Sequence, residues 1–377
     1  MKIAMITSSG SGGLIRYIQG LLEIPTEHEI NVFYAPNLEK SAETDAWAPN
    51  VISTKTEYAK ERGIEILLDK PLHPELICMV EEYQPDVVFF ANGWIRRGLE
   101  KYPNIMVLHN ALFVDNKAFL TMLNQKKFYA LLGFRHIVRR SMRRADGLVF
   151  LRNKSKRDTD KIGLKYKNGR VICFGMPKYN FSQERPTFCK DNVKLLYVSP
   201  FHRYKCHETL IRAIKILQKK GYNISLELIG GVPQKREKVI RKMVEKLGMQ
   251  DNVSFLGWCS HKEVINAMRS ADIFVYPTLI EAAGLGVMEP MAQSMPIASS
   301  NTACMPEILK DAGTYFNPFK PNELAAAVEK LIVDDNFREA CSKKAFKYAK
   351  EYSWERAMRE HIEYFEEFVK KDKKNEG

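Results

Sequence analysis

The 377-residue chain is poor in cysteine and has no long apolar run. Its seven cysteines are odd in number and include no Cys-x-x-Cys pair, which excludes a zinc ribbon or a paired disulfide framework and suits a reducing compartment. No stretch approaches the roughly 20 apolar residues that cross a bilayer as a helix. Met1-Lys2-Ile3-Ala4-Met5-Ile6 is far too short for a signal peptide and predicts a first strand. The expected location is the cytoplasm, or the cytoplasmic face of a membrane. No internal sequence repeat is visible. What the chain does have is a 45% hydrophobic content, which is globular, length enough for two domains, and a net charge of +13. Nucleic acid, anionic lipid and acidic small molecules all suit that charge. The basic residues are not interleaved with stacking aromatics, and no segment resembles a nucleic-acid module, so nucleic acid is not an expected partner.

The most informative stretch runs from Asp272 to Ile308. Ile273-Phe274-Val275-Tyr276 is an unbroken apolar run, the pattern of a parallel strand buried on both faces. Pro277 and Thr278 end it. Glu281 stands in the loop beyond, followed by Gly284-Leu285-Gly286, a helical run, and a small-residue strand from Met295 to Ser299. Pro290 costs no hydrogen bond only in a first turn, so the helix is expected to begin near Gly286 with the Gly284 to Val287 amides facing the ligand side. Strand, glycine loop and helix start make an anion site. Glu281 and Glu289 flank it, and a carboxylate beside a phosphate suits the neighbouring hydroxyls. A nucleotide sugar offers both groups.

The segment EAAGLGVMEPMAQSMPIASS, with its Glu-x7-Glu spacing, resembles the donor-site signature of family 4 retaining glycosyltransferases. That resemblance implies an α/β fold of the GT-B type, with two doubly wound Rossmann-like domains facing each other across a cleft. It covers nearly the whole chain.

Taken in order, Ile3 to Thr7 is a buried strand, followed by a glycine-rich turn and the helical spacing of Leu14, Tyr17, Ile18, Leu21 and Leu22. Gly-x-Gly-x-x-Gly would need glycine where Ile15 stands, so NAD is not expected. In the glycosyltransferase reading Gly12 and Gly13 let the backbone approach the donor diphosphate; a plain strand-to-helix turn is the other account. Leu38 to Glu61 is polar and reads as a long loop. Pro74 to Tyr83 is a helix, and Pro85 to Phe90 and Ile105 to Leu108 are strands, the latter delivering His109 at the end where α/β sheets bind ligands. Phe128 to Arg144 carries five arginines beside an apolar face: either they snorkel outward, or the helix lies on anionic lipid. Val171 to Phe174 reads as the last strand of the first domain. The expected organisation is residues 1–175 as the acceptor domain, 176–192 as linker, 193–353 as the nucleotide-sugar domain, and a helix at 354–371 returning to the first domain.

The resemblance also implies roles. Between Val198 and Leu210 the family's usual Gly-Arg-Leu, then Lys-Gly, is matched at Lys205, whereas Pro200 replaces the arginine and Cys206 the glycine; Arg203 is near enough to substitute. Lys205, Arg203 and the amides of Gly284, Leu285 and Gly286 would neutralise the departing diphosphate. Glu281 would hold the donor sugar, Glu289 the ribose, and His109 the sugar from the other domain, closure completing the site. The expected activity is a metal-independent, retaining hexosyl transfer from a UDP- or GDP-sugar to a glycan or lipid-linked acceptor, in cell-surface polysaccharide or glycolipid assembly, with no cofactor. A non-catalytic sugar-nucleotide-binding protein and a nucleotide-sugar epimerase of the same fold are the alternatives.

Overall fold

The computed structural model describes residues 1–7, 13–34, 51–53, 72–122, 128–177, 181–185, 187–231 and 233–375. The chain divides into two compact units, residues 1–175 with 353–377, and residues 176–352.

In the first unit the described strands form one parallel sheet: β1 (Lys2–Thr7), β2 (Glu29–Tyr34), β3 (Val51–Ser53), β4 (Val87–Phe90), β5 (Asn104–Leu108), β6 (Gly147–Phe150) and β7 (Gly169–Val171). Their order is β3-β2-β1-β4-β5-β6-β7. β4, β5 and β6 are buried along their whole length, as apolar runs covered on both faces must be. Two expectations change. Val51–Ser53 pairs with β2, so a strand lies within the segment read as a long loop, whose remainder at 38–50 and 54–61 is outside the described residues. The last strand is Gly169–Val171, not Val171 to Phe174; the ladder ends at Val171, while Ile172 and Phe174 continue buried beyond it. The helix Trp354–Asn375 belongs to this unit. Small residues let it come close: a Cβ on Gly20 would stand 2.0 Å from the Trp354 ring, and one on Gly147 2.7 Å from Phe368.

The arginine-rich helix Phe128–Arg144 does not send all its cations outward. Arg135 is buried, and its Nε donates to the Phe113 carbonyl at 3.1 Å; Arg139 Nε donates to the same oxygen at 2.9 Å. These two arginines satisfy a turn carbonyl that burial would otherwise leave unpaired. The exposed side chains of the helix include Tyr129, Leu132, His136, Arg140 and Arg143, spaced to share one face.

In the second unit the strands are β8 (Val193–Val198), β9 (Ile224–Ile229), β10 (Val253–Gly257), β11 (Ile273–Tyr276), β12 (Ile297–Ser300) and β13 (Thr314–Phe316), all parallel, in the order β10-β9-β8-β11-β12-β13. The chain winds outward from β8 in one direction, then restarts at β11 and winds outward in the other. Ligands bind such sheets outside the strands' carboxyl ends where the order reverses. Here that point lies between β8 and β11, and the loops leaving these two strands carry Lys205 and Glu281.

Candidate functional site

Lys205 closes a short 3-10 turn, Arg203–Lys205, after β8. Three contacts fix that turn. Buried Tyr197 donates its hydroxyl to the Lys205 carbonyl at 2.8 Å, the Lys205 N–H donates to His202 at 3.0 Å, and the Leu279 N–H donates to the Tyr204 carbonyl at 2.7 Å. The last of these ties the β8 loop to the β11 loop. Cys206 follows with φ 51°, in the left-handed region. The position where the resemblance leads one to expect glycine thus keeps the backbone that glycine favours, at a cost of about 1–2 kcal/mol for an L side chain. Burial pushes the Cys206 thiol up to about 12, so it is a packed, protonated thiol.

Across the reversal point, Lys205 Nζ lies 2.7 Å from Glu281 Oε2 and 3.3 Å from the Tyr276 hydroxyl, which itself donates to Glu281 Oε2 at 3.0 Å. The lysine side chain is 9% exposed and the glutamate 20%, so the pair is largely withdrawn from water at the mouth of the sheet. Burial first, and Glu281 next, hold the Tyr276 hydroxyl well above its usual titration range, which keeps it a proton donor. His202 and His207 flank the turn. Burial, reinforced by the Lys205 charge, lowers both, His207 to about 3, so neither imidazole competes with Lys205 as a cation near neutral pH.

The glycine loop meets its helix differently from expectation. The helix is Leu285–Ala292, with Gly284 as its left-handed N-cap at φ 82°, and Pro290 lies inside it as the sixth residue. Pro290 therefore costs one bond, because the Gly286 carbonyl lacks an N–H four residues on. The amides of Val287 and Met288 both donate to the Gly284 carbonyl at 3.1 Å, so the Val287 amide is taken up inside the helix start. Each glycine has a steric reason. A Cβ on Gly284 would strike Ile308 at 2.0 Å, and one on Gly286 would meet the Tyr276 hydroxyl at 2.3 Å. Gly286 thus lets the helix start press against the residue that holds Glu281.

Glu289, one turn further, is buried and separate in its surroundings from Glu281: His261 Nε2 lies 3.5 Å from its Oε1. Arg203 is exposed at the start of its turn, while Arg236, in the helix Gln234–Lys246, makes an ion pair with Glu208 beside Cys206 and His207. Sequence reasoning missed Tyr276, His261 and Arg236. The signal for Tyr276 was a tyrosine ending an otherwise aliphatic and phenylalanine strand, since a buried tyrosine seeks a partner for its hydroxyl. His261 and Arg236 had none, because their partners come from other elements.

In the first unit, Gly13 is the first residue of the helix Gly13–Leu22, and Gly12 lies outside the described residues. His109 follows β5. Its ring meets Tyr17 edge-on at 5.0 Å, its Nε2 is buried without a partner, and burial lowers its pKa to about 4. Tyr17 in turn bonds His361 at 2.5 Å. No group of three or more metal-ligating His, Cys, Asp or Glu side chains occurs among the described residues. The chain has one Asp-x-Asp triplet, Asp158-Thr159-Asp160, on the helix Asn153–Lys161; its carboxylates pair with Lys154 and Lys156. No helix of the described residues is long and apolar enough to cross a membrane.

Residues 180–348 match the family described as glycosyl transferases group 1. Among curated proteins, the chain is similar to O-antigen chain mannosyltransferase B of Escherichia coli, 25% identical over 44% of each chain. It is also similar to D-inositol 3-phosphate glycosyltransferase of Paenarthrobacter aurescens, 26% identical over 48% of this chain and 45% of that one. The chain thus spans less than half the length of these relatives. Among solved structures, sucrose-phosphate synthase from Thermosynechococcus elongatus superposes over 97% of this chain and 98% of its own with a TM-score of 0.76 at 18% identity. The Anabaena HepE structure in complex with UDP and glucose superposes over 97% and 99% with a TM-score of 0.72 at 15% identity. The fold is GT-B, and the match to the group 1 glycosyl transferases lies within the second unit.

Proposed function

We propose that this protein is a glycosyltransferase that moves a hexose from a UDP- or GDP-sugar to a glycan or lipid-linked acceptor, in cell-surface polysaccharide or glycolipid assembly. The observation that carries this is the convergence of Lys205, Glu281 and Tyr276 on the helix start at Leu285, where the strand order reverses. A buried cation, two backbone amides and a tethered carboxylate are what a departing diphosphate and an adjoining sugar require. As the bond from the anomeric carbon to the diphosphate oxygen breaks, Lys205 and the amides of Leu285 and Gly286 take up the charge gathering on the leaving group. With these donors in place the reaction needs no metal and no cofactor in our reading. Glu281, held by Tyr276, is assigned to sugar hydroxyls, and Glu289, in its own pocket with His261, to the ribose. His109 is assigned to the transferred sugar, supported by its unpartnered Nε2 at the carboxyl end of β5. Retention of anomeric configuration follows from the resemblance of the Glu281 to Glu289 segment. Mannosyl transfer by the Escherichia coli relative and the UDP bound by HepE favour a nucleoside diphosphate sugar as donor.

The test is turnover of UDP- and GDP-hexoses with and without glycan and lipid-linked acceptors, in EDTA, the anomeric configuration of the product being read by NMR. Transfer that survives EDTA with retention, and that falls about 100-fold or more in Lys205→Met, supports the reading. Free sugar alone, an epimerised nucleotide sugar, or binding without turnover would replace it. We also propose peripheral contact with anionic lipid through the exposed face of Tyr129, Leu132, His136, Arg140 and Arg143, supported by a tyrosine left 84% exposed beside basic side chains.

A further inference from the structure

The loop after β9 brings a second helix to the Lys205 turn. Gly230 is the residue that allows this. At φ 148° it passes so close to the β8 loop that a Cβ there would stand 2.0 Å from the Ser199 carbonyl oxygen. The Ser199 N–H donates to Ile229 at 2.8 Å and the Gly230 N–H to Gly257 at 2.7 Å, so the three loop roots after β8, β9 and β10 are laced side by side. The helix Gln234–Lys246 starts just beyond, and Arg236 lies in its first turn. Arg236 is paired with Glu208, in the first turn of the helix His207–Lys219 that follows Lys205. Its side chain is 19% exposed, whereas Arg203 is an exposed residue. Its charge acts on Cys206 and His207, the two residues that follow Lys205, and the Arg203 charge acts on it in turn.

A diphosphate brings more negative charge than Lys205 can answer, because Lys205 already shares its ammonium with Glu281 at 2.7 Å. Arg203 stands in water, where a single charge contributes little. Arg236 differs in three ways: it is half withdrawn from solvent, its orientation is fixed by Glu208, and a guanidinium has five N–H donors, of which a carboxylate engages two at most. We propose that Arg236 is a diphosphate-binding residue of the donor site and Glu208 its positioning residue, an assignment that rests on the donor-site reading above. It would supply from the helix after β9 the second cation that Pro200 cannot supply from the loop after β8.

The experiment is calorimetric titration of the full chain and its Arg236→Met, Arg236→Lys, Glu208→Gln and Lys205→Met variants with UDP, UMP, GDP and GMP. Arg236→Met is expected to weaken the diphosphate that the wild type binds by about tenfold or more, as loss of a charge-assisted contact does, with UMP or GMP affected less than about twofold. Arg236→Lys should recover part of the loss, and Glu208→Gln should weaken the diphosphate by a smaller factor. Unfolding midpoints close to the wild type in Arg236→Lys and Glu208→Gln keep the comparison valid should Arg236→Met fold poorly. Normal wild-type binding that Lys205→Met weakens and no Arg236 variant alters overturns this assignment alone. Equal loss of mono- and diphosphate in Arg236→Met also overturns it. A wild type that binds neither diphosphate overturns the donor reading and the assignment together.

Discussion

Glu281→Gln separates the two jobs proposed for the Lys205–Glu281 pair. In the wild type a nucleoside diphosphate reaching Lys205 must share the ammonium with a carboxylate 2.7 Å away and accept that carboxylate as a near neighbour. At about 4 Å and an effective dielectric near 20, each unit-charge interaction of this kind amounts to about 4 kcal/mol before desolvation, which cancels most of it. A net change of about 1–2 kcal/mol is what remains, or a factor of about 5–30. Replacing Glu281 with Gln keeps the shape, removes the competitor and leaves a lysine with 9% exposure in need of an anion. So Glu281→Gln should bind UDP or GDP more tightly by about 5–30-fold, while transfer to acceptor falls because a charge-assisted bond to the sugar becomes a neutral one. The variant should also unfold more readily by itself and regain that stability with nucleotide, since an unpaired buried charge is costly. Titration calorimetry and thermal unfolding, each with and without nucleotide, measure both effects. Unchanged or weaker nucleotide affinity in Glu281→Gln would refute the idea that the diphosphate meets Lys205.

Glu289→Gln should weaken the nucleoside diphosphate, with His261→Gln weakening it less, and equal tightening in Glu281→Gln and Glu289→Gln would remove the division between sugar and ribose. His109, His207 and His361 are held neutral by burial, with pKa values of about 4, 3 and 4, below the ordinary value of about 6.5. The unfolded chain therefore binds more protons below about pH 6.5, so stability is full above that pH and is lost as pH falls toward 4; urea unfolding between pH 8 and 5 that shows no such loss would contradict it. Cys206→Gly should fold at least as well as the wild type apart from lost packing, whereas Cys206→Val, a branched residue at φ 51°, should lower stability measurably in the same urea assay. Arg140→Glu with Arg143→Glu should reduce binding to anionic vesicles in low salt, and equal binding of the wild type to neutral and anionic vesicles would dismiss the lipid contact.

The doubly wound sheets were legible because each central strand is an unbroken apolar run followed by helical spacing, and parallel strands buried on both faces leave that trace. β3 was not legible. Three residues at a sheet edge are too few to show a period, and Val51–Ser53 lies in a polar segment. The arginine helix misled for a related reason. Arg135 and Arg139 look like surface cations until the Phe113 carbonyl they serve is in place, and that carbonyl belongs to a turn more than twenty residues away.

At the site, residue type and spacing pointed to Glu281, Glu289 and the glycine loop, and the family resemblance to Lys205, but neither said which of them touch. Lys205 and Glu281 are 76 residues apart and meet only because β8 and β11 are neighbours in the sheet. Arg236 left no trace at the sequence level, since nothing in its local sequence records Glu208. The two departures from the familiar loop also differ in kind once the backbone is known. Cys206 occupies the left-handed conformation that glycine would adopt, so the turn that delivers Lys205 is kept and the substitution bears on stability. Pro200 removes a side chain that could carry charge, and no backbone adjustment replaces a charge. In the donor-site reading the second cation is proposed to come from another element, Arg236, whose helix follows the close passage at Gly230.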